Sequence, residues 1–134
     1  MQIPLIITLS LHVLSSVFWA GSSFTLARTG GAGGEQLFGP QMGAALVTML
    51  TGAYLGRSVH AGMFGTAEQI LAVGALAALL AAAVQGAIGG RAIRSLRNGK
   101  ADKAAARSRI ATAQRIAALL LAVTAVCMGA ARYA

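Results

Sequence analysis

Acidic residues are scarce in this chain: three Asp or Glu against eleven Lys or Arg in 134 residues. Charged residues make up only 10% of the sequence, where a soluble domain carries about 25%. No pair of carboxylates falls inside an apolar segment, so the usual Asp/Glu machinery of proton-coupled transport is missing. There is no CxxC, no HExxH and no phosphate-cradling glycine loop tied to a strand, which leaves metallohydrolysis and phosphoryl transfer without their residues. The single cysteine, Cys127, forms no intrachain disulfide and reads as a small core residue of the last apolar block.

Hydrophobic residues supply 57% of the chain, and they fall in long blocks. A helix needs about 20 mainly apolar residues to cross the hydrocarbon core. Four segments satisfy this, at residues 3–27, 40–64, 69–89 and 116–131. The expected fold is an all-α, up-down bundle of four transmembrane helices forming one domain. The first block has no basic residue before it and exceeds the roughly 7–15 apolar residues of a secretory signal, so it reads as a permanent span. The segment RTGGAGGEQLFG (28–39) marks a flexible loop, and Pro40 suits a first helical turn.

The net charge of +8 is not spread evenly, because eight of the eleven basic residues lie between Arg91 and Arg115. This is the pattern of a cytoplasmic loop, residues 90–115, with contact to anionic lipid as a by-product and no nucleic-acid partner. The Ala-rich later part of that loop is expected to extend helix four. With that loop inside, both termini lie outside. Lipid is then the principal partner, with a redox protein or quinone and a second copy of the chain as further possibilities.

Ionisable groups inside hydrocarbon are functional candidates by default. Here they are His12, His60 and Arg57, with Gln85 as a polar companion. Helical spacing places Ser15, Ser16, Trp19 and Ser23 near the face of His12. It places Gly52, Gly56, Arg57 and Met63 around His60. Gly52 and Gly56 read either as helix contacts or as clearance for a flat ligand. Trp19 reads as an interface anchor or as a wall of the site, and Glu68 as a helix-dipole partner that opens helix three.

Two imidazoles permit three chemistries. They are axial ligands of a haem b, with Arg57 on a propionate; or copper ligands, with Met49 or Met63 in support; or hydrogen-bonding groups of a cofactor-free structural subunit. Depth separates these readings, since His12 sits roughly 13 Å below the outer surface and His60 close to it.

The stretch LHVLSSVFWAGSSF (11–24), with Leu11, His12, Trp19, Ala20 and Gly21, resembles the first helix of the CopD-like (copper-resistance protein D) membrane family. The basic third loop and Arg132 are similar too. The same pattern occurs in small haem-b-binding membrane oxidases of the HemJ type, whose first-helix histidine is a haem ligand. The resemblance implies a bacterial inner-membrane protein with His12 in that role. That type uses a lysine in helix three, whereas none lies between Glu68 and Gly90 here. A second axial imidazole from His60 then favours electron transfer, so oxidoreductase activity is left open.

Overall fold

A computed structural model describes residues 2–62, 64–100 and 102–134. Met63, expected near His60, lies outside the described residues. Among the described residues the chain is all-α, with four helices: α1 (Gln2–Arg28), α2 (Gly34–His60), α3 (Thr66–Arg97) and α4 (Lys103–Ala131). A five-residue π turn, Gln85–Gly89, interrupts α3. Three helices, α1, α3 and α4, are long and apolar enough to cross a membrane. α2 is as long as α1 but carries Gln41, Thr48, Thr51, Arg57 and His60, and it does not reach the same apolarity.

Glycine chemistry sets the turns. After Arg28 the backbone turns at Gly30, Gly31 and Gly33, all at positive φ, and the Gly31 N–H bonds the Leu26 carbonyl at 2.9 Å to close the end of α1. Gly31 is also forced by space, because a Cβ there would lie 2.5 Å from the Arg107 carbonyl oxygen on α4. That contact puts the α1–α2 turn and the start of α4 at the same end of the bundle. Gly62 and Gly99 serve the other two turns at φ 78° and 67°.

The helix ends differ from the expected ones. α2 begins at Gly34, six residues before Pro40, so the proline is tolerated inside the helix rather than opening it. The basic segment is mostly helical: α3 continues to Arg97 and α4 starts at Lys103, leaving residues 98–102 as the connection. Ala92 and Ile93 explain this, because they bury against Ala106 and Ile110 of α4 while the arginines face outward.

The contacts show antiparallel neighbours: His12 meets Thr48 and Thr51, Ser22 and Ser23 meet Gln41, and Gln85 meets Gln114. Helices α3 and α4 approach most closely, where a Cβ on Gly74 would sit 3.0 Å from Cβ of Cys127. Thr124 reinforces that contact by donating to the Gly74 carbonyl at 2.9 Å. The central core gathers Trp19, Ala45, Ala78, Ala81, Ala117 and Leu121 from all four helices. The outer surface of α1 is a wall of exposed Ile, Leu, Val and Phe, which suits lipid contact.

Candidate functional site

Polar atoms inside this bundle fall at three levels along its axis. At the deepest level, Trp19 Nε1 donates to Gln85 Oε1 at 2.6 Å. Gln85 Nε2 donates to Ser23 Oγ at 2.7 Å and to Gln114 Oε1 at 2.9 Å. Gln114 Nε2 returns a bond to Gln41 Oε1 at 2.9 Å, and Gln41 Nε2 donates to Ser22, Ser23 and Gln114. Every helix contributes to this network, and no buried side-chain polar atom among the described residues lacks a partner. A satisfied network of this kind rigidifies and specifies the core. Gln85, Trp19 and Ser23 stood out in sequence; Ser22, Gln41 and Gln114 did not. Trp19 is 1% exposed, so it is a buried core residue and not an interface anchor.

His12 occupies the middle level, about 10 Å from Trp19 along α1 at 1.5 Å per residue. Its Nδ1 lies 3.0 Å from the Thr48 carbonyl oxygen and 3.0 Å from Thr51 Oγ1. A carbonyl only accepts, so Nδ1 carries the proton. Thr51 Oγ1 already donates to the Val47 carbonyl at 2.6 Å, which leaves it an acceptor for the same proton. In the neutral ring the lone pair is then on Nε2, which has no hydrogen-bond partner among the described residues. Gly52 faces the ring, and a Cβ there would sit 3.0 Å from Cε1 and 3.5 Å from Nδ1. Gly52 therefore makes room for the His12 imidazole itself.

His60 marks the outer level, eight residues beyond Gly52 on α2, or roughly 12 Å along the helix. Its Nδ1 bonds Glu68 Oε1 at 2.8 Å. Glu68 Oε2 in turn accepts the Gly65 backbone N–H at 2.9 Å, capping α3. Glu68 thus does more than favour the helix dipole. The structure holds the two histidines to different partners at different levels and does not bring their rings together.

Both nonetheless line one cavity of about 1010 Å³. Its walls include Ser16, Trp19, Thr48, Gly52, Gly56 and Glu68, and mostly aliphatic side chains such as Leu9, Val59 and Leu79. It exists because α2 and α3 touch at few positions, while α1 pairs with α2 and α3 with α4. Gly56 has open space before it, so its missing side chain does widen the cavity. Arg57 is exposed and absent from the lining, because one residue of helix turns it about 100° away from Gly56. Among the described residues no three His, Cys, Asp or Glu side chains cluster as a metal site would require.

The chain matches no family model, no curated protein and no solved structure.

Proposed function

We propose that this chain is a membrane haem b protein with a one-electron redox role, in which His12 Nε2 would hold the iron. The observation that carries the reading is the His12 bond to the Thr48 carbonyl. Metal-binding histidines almost always donate their other ring N–H to a carbonyl or carboxylate, which fixes the tautomer and orients the ring. Here that device holds an unpartnered imidazole nitrogen on the wall of a cavity sized for a large flat ligand. Ligand pockets span roughly 300–1,000 Å³, and this one lies at the top of that range.

The four helices cross the bilayer of a bacterial inner membrane, with both termini outside and the basic end inside, as the positive-inside rule supports. A bound haem supplies one-electron redox chemistry. The protein's own groups do the rest: Thr48 and Thr51 orient His12, and Trp19 floors the cavity. Aliphatic walls would exclude water, and His60 paired with Glu68 lines the opposite end of the cavity from Trp19. Arg57, off the cavity wall, has no such role in this arrangement. His60 stays paired with Glu68, so His12 alone would hold the iron, and a redox protein or quinone would meet the site from the outer side. The resemblance of residues 11–24 to CopD-like and HemJ-type first helices supports the same assignment of His12.

Porphyrin stoichiometry and elemental analysis on protein from haem-replete cells test this. One haem per chain is the expected result. Copper in stoichiometric amount without porphyrin favours the copper reading, and neither group favours a cofactor-free subunit.

A further inference from the structure

A second, smaller cavity lies at the basic end, well away from the histidines. It has a volume of about 420 Å³ and runs along one face of α3, past Gly86, Ala87, Gly90, Arg91, Arg94, Arg97 and Asn98. Ile93 and Phe38 of α2 complete it. The Phe38 ring forms its floor, since a Cβ on Gly90 would meet Phe38 Cζ at 3.4 Å. Before Gly86 there is open space. The groove is therefore apolar and glycine-lined at its deep end and cationic at its shallow end.

Its charge is unbalanced. Among the described residues the only salt bridge is His60–Glu68, at the opposite end of the bundle. Glu35 and Asp102, the other acidic residues, pair with none of the three arginines. Three guanidinium groups on one helix face at this spacing repel one another unless an anion sits among them. Guanidinium forks match phosphate oxygens in a bidentate way.

The geometry points to a built site for one anionic phospholipid, with its phosphate among Arg91, Arg94 and Arg97 and an acyl chain laid over Phe38, Ala87 and Gly86. The level fits, because the groove starts inside the apolar span and ends at the α3–α4 connection, where headgroups lie. Basic pockets between helices on the cytoplasmic side are where such headgroups bind. The inference rests on membrane insertion of the bundle and is independent of haem.

The test is lipid retention by the purified full chain, read by native mass spectrometry and thermal shift. Phosphatidylglycerol, phosphatidylcholine and inorganic phosphate are compared as ligands. Phosphatidylglycerol is expected to be retained and to raise Tm, and phosphatidylcholine is not. The double variant Arg91→Gln/Arg94→Gln lowers retention about 30-fold, taking the usual contribution of each basic residue near a headgroup. Gly86→Leu fills the deep end without changing charge and lowers retention as well. Lys103→Gln/Arg109→Gln removes two charges outside the groove and leaves most of it. Equal losses from the two double variants would reduce the effect to diffuse electrostatics and overturn the site. So would full retention by Gly86→Leu. Equal protection by inorganic phosphate alone overturns the lipid as its ligand.

Discussion

Replacing Gln114 by leucine tests whether the four-helix amide network holds the bundle together. Gln114 makes three of its bonds, accepting from Gln41 and Gln85 at 3.1 and 2.9 Å and donating to Gln41 Oε1 at 2.9 Å. After the substitution, Gln85 Nε2 keeps Ser23, and Gln41 Nε2 keeps Ser22 and Ser23. Gln41 Oε1 keeps nothing, in a side chain that is 0% exposed. Interhelical hydrogen bonds in membranes average about 0.6 kcal/mol each, so three contribute about 2 kcal/mol. The orphaned carbonyl adds about 1–3 kcal/mol of desolvation cost, part of which the lost bonds already count. The expected loss is about 2–4 kcal/mol, read as a lowered unfolding midpoint in a denaturant titration in mild detergent. Trp19→Phe removes one bond instead of three but likewise orphans a buried carbonyl, Gln85 Oε1, and its lost indole volume adds a packing cost, so it too should lower the midpoint. A Gln114→Leu protein within about 0.5 kcal/mol of wild type would refute the reasoning, because a spare network leaves no such orphan.

Further predictions follow from individual contacts. Gly52→Val drives its side chain into the His12 ring, so His12 should leave Thr48 and haem occupancy should fall while the helix content measured by circular dichroism holds. Gly74→Leu meets Cys127 Cβ and the Thr124 carbonyl, and overpacking of this kind costs about 1–3 kcal/mol, visible as a lower Tm. In a Cys127→Ala background, Thr29→Cys and Asn98→Cys should label from the cytoplasmic side, and Phe64→Cys and Ala134→Cys from the outer side. Labelling of all four from one side would rule out the up-down insertion.

The apolar blocks made the all-α class and the membrane-length helices legible, since continuous apolar runs of this length suit a helix and exceed the strands of a barrel. The histidine stripe was legible too: Ser16 and Trp19 do line the cavity with His12. Helix ends were less so. A basic segment looks like a loop by charge, and only the burial of Ala92 and Ile93 against α4 shows why α3 runs on to Arg97. Pro40 suggested a helix start because sequence does not reveal that Gly33, at φ 84°, precedes a helix already begun. Gln41 lies in an apolar run and Gln114 in the segment that reads as the basic loop, so only the extension of α4 through residue 114 brings both to Gln85. Arg57 lies off the cavity wall that Gly56 lines, because adjacency in sequence is a change of face on a helix.

On the proposed reading His12, and not a pair of histidines, supplies the haem ligand. The most direct measurement is the reduced-minus-oxidised absorption spectrum of wild type, His12→Ala and His60→Ala, each purified from haem-replete cells. The account predicts a Soret band in wild type that is lost in His12→Ala and kept with little change in His60→Ala. A colourless wild-type protein, or a His12→Ala protein with an unaltered band, would contradict it.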